Sequence, residues 1–295
     1  MRRRHVLSAA GVGARIRSER HFSPEMAARD SYEEWLAEPT CLSGSNLKHW
    51  RGDNTVRLLA SIKDRVESVT GWSMHRGCPH GLRLDADLAR LVPGLDIETI
   101  FDVGANEGWS ALYFARRHPR ATVHSFEPVG ATFERLSAAI RGHARIRAHH
   151  LALGARAGEV RVVLGESSVT NRVSEERNDG ESVRLTTIDD FARDNGIGRI
   201  GYVKIDTEGY DLEVLRGARG LLGEGRIDVV QAELGMNPEN LHHVGLDAVR
   251  THLEGLGYRI FGFYDQRHEW PTNRPHLRRA DVVFLGPAWV RGEGA

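Results

Sequence analysis

The sequence predicts an α/β protein built on a mostly parallel β-sheet, with helices on both faces and an N-terminal helical extension. From Ile97 onward, short apolar runs alternate with amphipathic stretches, which is typical of strand–helix repeats. Acidic residues directly follow several of the apolar runs, and the ends of parallel strands meet at one edge of a sheet. The region before Ile97 shows no strong alternation, so we expect it to pack on the sheet domain as an addition.

The chain of 295 residues is long enough for one large domain with an appendage. We assign residues 1–95 to the N-terminal extension, residues 96–288 to the main domain and residues 289–295 to a tail. Within the extension, apolar residues recur at helical spacing and predict a helix over residues 55–69, with Asn54 as its N-cap. The first residues of the extension are expected to be disordered or loosely held.

Strands and helices are expected to alternate through the main domain. Seven strands are predicted, at residues 99–103, 122–126, 146–153, 202–205, 227–232, 258–264 and 281–285. Helices are predicted at residues 110–117, 132–141, 187–195, 212–222 and 247–256, the third of them opened by a Thr cap. An inserted antiparallel pair is expected at residues 159–164 and 182–185, with a mobile polar loop over residues 165–180 between its strands.

The composition is that of a charge-balanced protein. Lys plus Arg and Asp plus Glu number 40 each, so the chain has no overall attraction to nucleic acid. No stretch approaches the ~18 apolar residues of a membrane span. Cys41 and Cys78 form no paired motif, and the run after the N-terminal arginines is too weakly apolar for an export signal. We therefore expect a cytoplasmic location and reduced thiols.

The sharpest motif is the glycine turn in Ile100-Phe-Asp-Val-Gly-Ala-Asn-Glu-Gly-Trp-Ser110. Gly104 and Gly108 would let backbone approach a ligand, and free N–H groups at the following helix start would hold an anionic group. Asn106 stands where the dinucleotide fingerprint requires its middle glycine. The motif therefore indicates a ligand site that is not an ordinary dinucleotide site.

Two carboxylates accompany this turn. Glu127 ends the next strand, 19 residues after Gly108, where a carboxylate accepts both ribose hydroxyls of a nucleoside ligand. Asp102 lies on the strand before the turn, where it would either meet an ammonium group of the ligand or brace the loop. Together with the turn, Glu127 favours nucleoside binding over an incidental surface position.

A second acidic group follows two later strands. Asp206 and Glu208 come directly after one buried strand and Glu233 ends the next, so all three are expected to converge on one crevice. Like charges raise each other's pKa, which suits a general base that removes a proton from a hydroxyl. The oxygens would equally suit a divalent metal, with Asp206 and Glu233 as ligands, and Lys204 could instead pair with one carboxylate.

At these motifs the sequence resembles the FkbM-type methyltransferases over roughly residues 97–286. The matching segments are residues 101–108, Phe126-Glu127-Pro128, residues 185–190 and residues 204–218. The resemblance implies a Rossmann-like methyltransferase fold and O-methylation of a small molecule, a sugar or glycoconjugate or a secondary metabolite, with S-adenosylmethionine. The cofactor contacts expected on this basis are Asp102, Gly104, Asn106, Gly108, Glu127, Ala152 and Asp206.

The sequence offers more than one candidate for the catalytic base. Asp206 is the first candidate, with Glu208 and Glu233 supporting it or holding a metal, and His243 is the alternative because its pKa lies near neutrality. Flat faces for a sugar ring would come from Trp109, Tyr210, Tyr264 and Trp270, although core packing would explain each aromatic residue equally well.

Two rival functions remain at this stage. One is a nucleotide-dependent oxidoreductase on the same sheet topology, against which the missing middle glycine counts. The other is a non-catalytic nucleoside-binding module, which would bind ligand without turnover.

Overall fold

The computed structural model of the chain describes residues 61, 63–69, 78–163, 172–174 and 180–294. Residues 61 and 63–69 are helical, in agreement with the helix predicted over residues 55–69. The beginning of that helix, with Asn54, lies outside the described residues. No helix of the described ranges is long and apolar enough to cross a membrane.

The main domain is built on a seven-stranded sheet in the order β10-β11-β9-β8-β1-β2-β3. Strands β9, β8, β1, β2 and β3 run parallel, whereas β11 is antiparallel to β9 and β10 to β11. The strands are β1 Thr99–Val103, β2 Thr122–Phe126, β3 Ile146–His149, β8 Ile200–Ile205, β9 Ile227–Gly235, β10 Arg259–Glu269 and β11 Arg274–Leu285. The predicted α/β class with a mostly parallel seven-stranded sheet is confirmed.

Helices cover both faces of this sheet because its central strands are buried on both sides. In β1, Phe101 and Val103 belong to the apolar cluster on one face, and Ile100 belongs to the cluster on the other. The helices are α1 Leu84–Leu91, α2 Trp109–Arg117, α3 Gly130–Ala139, α4 Ile188–Asp194, α5 Asp211–Arg216, α6 Arg219–Gly223, α7 Leu246–Gly255 and α8 Pro287–Arg291. Thr187 caps α4 as predicted, since its hydroxyl accepts the Asp190 N–H at 2.9 Å.

A second sheet of four strands follows β3, in the order β4-β7-β5-β6. Its strands are β4 Ala152–Leu153, β5 Gly158–Val163, β6 Arg172–Ser174 and β7 Glu181–Thr186. The predicted antiparallel pair is present as β5 and β7. The single strand predicted over residues 146–153 is wrong, because the chain leaves one sheet after His149 and enters the other at Ala152. Residues 172–174 pair with β5, so the loop predicted over residues 165–180 contains a strand.

The structure also differs from the predicted helices at two places. The helix predicted over residues 212–222 divides into α5 and α6 at Gly217, where a Cβ atom would collide with the carbonyl oxygen of Gly154. Helix α1 was not predicted, yet Leu88 and Val92 are buried in the core and Asp87 accepts a hydrogen bond from the Tyr264 hydroxyl at 3.0 Å. The end of the extension therefore packs on the sheet.

The last two strands, β10 and β11, form a hairpin that extends beyond the carboxyl end of β9. Arg279 of β11 pairs with Gly235, the final residue of β9, so residues 274–278 continue past the carboxyl end of β9. Residues 267–278, which we call the hairpin overhang, therefore lie beyond the edge where the parallel strands end. The predicted strands at residues 258–264 and 281–285 are present, but both are longer than predicted.

Candidate functional site

A cleft with about 690 Å³ of empty volume opens at the carboxyl edge of β1, β2 and β8. That volume includes open solvent at the mouth of the cleft. Six of the residues predicted to be catalytic or to bind the cofactor line the cleft, namely Gly104, Asn106, Glu127, Ala152, Asp206 and Glu208. Asp102, Gly108, Glu233 and His243 are not among its lining residues.

The glycines of the turn are required by packing within the protein. Gly104 has a φ of 80°, and a Cβ atom there would collide with the carbonyl oxygen of Asp206. Gly108 has a φ of 92°, and its Cβ would lie 2.8 Å from the Leu136 side chain. The close approach predicted for these glycines is therefore made to β8 and α3, which bring the turn and Asp206 together.

The amides of the turn already have acceptors. Gly104 and Ala105 both donate to the carbonyl oxygen of Phe126 at 3.0 Å, and Asn106 donates to Glu127 at 3.0 Å. Gly108 donates to the carbonyl oxygen of Ala105 at 2.9 Å. These four amides precede α2, which begins at Trp109, so the expectation that N–H groups at the start of that helix hold an anionic group stays a prediction.

Glu127 lies at the centre of the cleft wall and is 6% exposed. Its two carboxylate oxygens accept the N–H groups of Val129 at 2.9 Å and Asn106 at 3.0 Å. Burial raises the pKa of Glu127 to about 7, against the lowering effect of these two hydrogen bonds. The carboxylate is thus rigidly oriented and keeps a lone pair on each oxygen for a ligand. Beside it, Asn106 Oδ1 is buried without a partner.

Asp102 is fully buried behind the turn. It accepts a hydrogen bond from the Ser110 hydroxyl at 2.7 Å, which ties β1 to the first turn of α2. Burial raises the pKa of Asp102 although nearby Lys204 lowers it. Of the two roles predicted for Asp102, this position favours bracing the loop.

Apolar side chains form the wall opposite the turn. Leu151, Ala152 and Leu153 come from the segment that connects the two sheets, and Val162 comes from β5. Phe126, Pro128 and Val129 continue the wall on the side of β2. These side chains give the cleft an apolar surface next to the carboxylate of Glu127.

Asp206 ends β8 and is paired with Lys204 at 2.9 Å. Burial by itself raises the pKa of Asp206, but the ammonium group of Lys204 outweighs that effect and lowers the pKa overall. The ion pair that the sequence left as an alternative is therefore present. A carboxylate held in this way is a weak proton acceptor that supplies fixed negative charge to the cleft.

Glu208, Glu233 and His243 are brought together although His243 lies in the loop after β9. The His243 Nε2 atom is 2.7 Å from Glu233 Oε2 and 3.7 Å from Glu208 Oε2. Burial raises the pKa of Glu208 to about 7, with a further increase from the charge of Asp206. Glu208 also has a φ of 52°, an uncommon backbone conformation for a residue with a side chain.

Two residues that the sequence analysis missed support this cluster. Arg279 forms an ion pair with Glu233 and lies 3.5 Å from Asp265. Asn240, which is 6% exposed, contacts the His243 Nδ1 atom with its amide group at 3.0 Å. The position of Arg279 opposite the end of β9 follows from strand pairing, but nothing in the local sequence marks Asn240.

The cluster has the spacing of a metal site, since one ligand atom from each of Glu208, Glu233 and His243 lies within 4.8 Å of the others. The carboxylates of this region already have hydrogen-bond or ion-pair partners, however. Arg279 and His243 engage Glu233, and Lys204 engages Asp206. The arrangement therefore fits a hydrogen-bonded, charge-paired network better than a cation site built on Asp206 and Glu233.

The four aromatic residues nominated from the sequence differ in position. Tyr264 is 6% exposed and bonds to Asp87, so it belongs to the core. Tyr210 lines the cleft. Trp109, at the start of α2, and Trp270, in the hairpin overhang, are 47% and 55% exposed.

Taken together, the cleft fits a nucleoside that carries positive charge. Glu127 is oriented to accept two hydroxyls, the apolar wall suits a base, and Asp206 and Glu208 face the same volume. A pyrophosphate would instead meet amides that are already bonded and a carboxylate-rich surface. The unpartnered Asn106 Oδ1 is a further acceptor for an N–H or O–H group.

Comparison with known proteins finds methyltransferases among the relatives of this chain. The chain is 27% identical over 167 residues to the hexuronic acid methyltransferase AglP of Haloferax volcanii, covering 54% of this chain and 67% of the relative. It is 28% identical over 153 residues to the 31-O-demethyl-FK506 methyltransferase FkbM of Streptomyces tacrolimicus, covering 41% and 59%. It is 26% identical to methyltransferase 1 of Beauveria bassiana over 151 residues, covering 43% and 61%. The alignments thus span about three fifths to two thirds of these relatives.

Among solved structures, the magnesium protoporphyrin IX methyltransferase of Synechocystis PCC 6803 aligns with a TM-score of 0.40 and 11% identity, covering 91% of this chain and 99% of that one. The family model described as the methyltransferase FkbM domain matches residues 102–260, which is more than half of the chain. The chain therefore belongs to the FkbM methyltransferase family.

Proposed function

We propose that this protein transfers a methyl group from S-adenosylmethionine to a hydroxyl oxygen of a sugar, a glycoconjugate or a secondary metabolite. One observation carries the proposal: a single cleft unites the glycine turn, the oriented carboxylate of Glu127 and the acidic end of β8. Two of the relatives carry names that refer to a hexuronic acid and to an O-demethylated secondary metabolite, which supports a hydroxylated small molecule as acceptor.

The cofactor would supply an electrophilic methyl group on a sulfonium. In our proposal Glu127 accepts the two ribose hydroxyls, and the wall of Leu151, Ala152 and Val162 receives the adenine. Asp206 then stabilises the positive charge of the cofactor, because Lys204 keeps it ionised. These residues bind and orient the methyl donor, so the remaining requirement is a group that activates the acceptor hydroxyl.

We propose Glu208 for that role, with Glu233 and His243 as positioning residues. Glu208 lines the cleft, and its pKa of about 7 suits a base that works near neutral pH. His243 has both ring nitrogens engaged, one by Glu233 and the other by Asn240, and it does not line the cleft. The sequence-based choice, Asp206, remains a prediction, but its ion pair with Lys204 makes it the weaker base.

Calorimetric titration with S-adenosylhomocysteine tests the cofactor site. Stoichiometric binding is expected, and absence of binding to folded protein would contradict the proposal. Transfer of a labelled methyl group to a panel of hydroxylated sugars and metabolites then separates a methyltransferase from a non-catalytic binding module. Binding of NAD in place of S-adenosylhomocysteine would support the oxidoreductase alternative.

We also propose that the acceptor is free in the cytoplasm and is not a nucleic acid. The balanced charge of the chain supports this proposal. Fractionation of the source cells with an antibody to this chain would test the location.

A further inference from the structure

The loop between β9 and α7 buries the amide side chain of Asn240, which is 6% exposed. Asn237 sets the path of this loop, because its Oδ1 atom accepts the backbone N–H groups of Glu239 at 3.0 Å and Asn240 at 3.1 Å. The Asn237 Nδ2 atom donates to the carbonyl oxygen of Leu277 at 2.6 Å. The Asn240 Nδ2 atom donates to the carbonyl oxygen of Arg278 at 3.0 Å. Both amides thus fasten the loop to the hairpin overhang.

The orientation of the Asn240 amide follows from the groups around it. Its Oδ1 atom accepts the backbone N–H groups of His242 at 3.1 Å and His243 at 3.4 Å. An amide oxygen has two lone pairs, so these two donors use its accepting capacity. The reverse orientation would place N–H groups against N–H groups and the amide oxygen against the carbonyl oxygen of Arg278. One Nδ2 hydrogen is therefore bonded to Arg278, and the second is left for another acceptor.

That acceptor is the Nδ1 atom of His243, whose side chain is 7% exposed. The Nδ1 atom lies 3.0 Å from Asn240 Nδ2 and 3.2 Å from Asn240 Oδ1. Because the lone pairs of Oδ1 are already used, Nδ2 donates and Nδ1 accepts. A neutral imidazole that accepts at one nitrogen carries its hydrogen on the other nitrogen. The amide of Asn240 therefore assigns the hydrogen of His243 to Nε2.

The carboxylates on the other side of the imidazole require the same tautomer. The His243 Nε2 atom is 2.7 Å from Glu233 Oε2, and an ionised carboxylate only accepts hydrogen bonds. Glu208 Oε2 is 3.7 Å from the same nitrogen, which is too far for a hydrogen bond, so Glu208 keeps its lone pairs for a hydroxyl of the methyl acceptor. A divalent metal would bind the lone pair of Nε2, where this tautomer carries a hydrogen.

We propose that Asn240 is a positioning residue that holds His243 with its hydrogen on Nε2, so that His243 donates to Glu233 and takes no proton from the methyl acceptor. In the proposed reaction the O–H bond of the methyl acceptor breaks, its proton moves to Glu208, and the methyl group moves from the sulfonium to the oxygen. His243 keeps its hydrogen throughout. This role in turnover rests on the proposed methyltransferase function, whereas the position of the hydrogen is measured without cofactor or methyl acceptor.

Long-range ¹H–¹⁵N correlation NMR on the full chain measures which imidazole nitrogens carry hydrogen. Among the 15 histidines, the signals of His243 are those that disappear in His243→Gln. At about pH 8, where an ordinary imidazole is neutral, we expect hydrogen on Nε2 and none on Nδ1 in the wild type. In Asn240→Asp the new carboxylate accepts at Nδ1, so we expect hydrogen on both nitrogens.

Asn237→Asp is the matched control. It makes the same change opposite another carbonyl group of the hairpin overhang, but the Asn237 amide bonds to Leu277 and the loop backbone and not to His243. The control should leave the His243 hydrogen on Nε2 alone. Once labelled methyl transfer has identified a methyl acceptor, Asn240→Asp should lower kcat about tenfold at unchanged affinity for S-adenosylhomocysteine, because an imidazolium beside Glu208 makes it a weaker base.

The outcomes separate this inference from the function on which it rests. Hydrogen on Nδ1 of the wild type at about pH 8 would overturn it, even if no variant folds. Identical His243 signals in Asn240→Asp and the wild type would also overturn it. Addition of Zn²⁺ should leave the Nε2 hydrogen in place, and its loss would show a metal site. If the hydrogen is on Nε2 but S-adenosylhomocysteine does not bind, the proposed function falls and the assignment of the tautomer stands.

Discussion

The two halves of the cleft edge are held together by different forces. At the ends of β1 and β2, backbone groups bond to backbone groups, and Glu127 is oriented by two amides. At the ends of β8, β9 and β11, charged side chains pair with one another, as Lys204 does with Asp206 and Arg279 with Glu233. We call these the turn side and the charged side.

This difference in bonding predicts that the two sides respond differently to substitution. On the turn side, the backbone has no room for added atoms, so substitutions should affect folding and cofactor affinity. On the charged side, an isosteric amide can replace a carboxylate with little loss of shape, so substitutions should affect turnover more than affinity.

Gly104→Ala should cause the largest loss. The new Cβ would collide with the Asp206 carbonyl oxygen at a φ of 80°, so we expect at least about 3 kcal/mol lower free energy of unfolding and loss of S-adenosylhomocysteine binding. Gly142→Ala is the matched control, because its φ is 87° but its Cβ meets no atom within 4 Å. The control should lose only about 1–2 kcal/mol. Equal losses in urea unfolding would contradict the steric argument.

Glu208→Gln should separate turnover from binding. We expect kcat to fall about 10²-fold or more while affinity for S-adenosylhomocysteine stays nearly unchanged, because the general base is lost but the shape is kept. Initial rates with the acceptor found by labelled methyl transfer measure the effect. Glu213→Gln, on the surface of α5, is the control.

Asp206→Asn tests the sequence-based choice of base. It leaves Lys204 without its partner, so the urea midpoint should fall together with turnover. If Asp206→Asn instead abolishes turnover at unchanged stability, and Glu208→Gln remains active, then Asp206 is the base.

Glu127→Gln should weaken cofactor binding about tenfold to a hundredfold, the range expected for lost hydrogen bonds to a charged group. The pKa of Glu127 is raised to about 7, and hydroxyl donors prefer its ionised form. Wild-type affinity for S-adenosylhomocysteine should therefore increase between about pH 6 and pH 8, as the carboxyl loses its proton. Calorimetry at both pH values should show a smaller increase in Glu127→Gln. An identical pH dependence in both proteins would assign it to another group.

Thr187→Ala, at a residue that belongs to neither side, should have the smallest effect. Loss of the cap on α4 should lower the free energy of unfolding by about 1 kcal/mol without changing cofactor affinity. Thermal unfolding and calorimetry measure the two quantities. Altered cofactor affinity would show that the start of α4 is coupled to the cleft. The turn side and the charged side would then not be the only regions that control cofactor binding.

The turn side was largely predictable because its signal is local. β1 and β2 have the predicted bounds, and Gly104, Asn106 and Glu127 line the cleft as expected. Family membership and the Rossmann-like methyltransferase fold were confirmed. The bonding of the turn was not predictable, since the acceptor for Gly104 and Ala105 is a carbonyl group on a different strand.

The charged side was only partly predictable. The convergence of Glu208 and Glu233 follows from parallel strands that end together, but their contact with His243 depends on the path of a loop. Asn240 and Arg279 were missed because their roles exist only after the loop and the hairpin meet. The division of the predicted helix at Gly217, which packs against the backbone of Gly154, was also missed.

The saturated amides of the glycine turn have a consequence for selectivity. A site with free amides would attract ATP and other abundant phosphate esters, and they would compete with a scarcer cofactor. Here the N–H groups of Gly104 and Ala105 donate to the carbonyl oxygen of Phe126, and that of Asn106 donates to the carboxylate of Glu127. These three amides are consequently not available to bind the phosphate groups of adenine nucleotides.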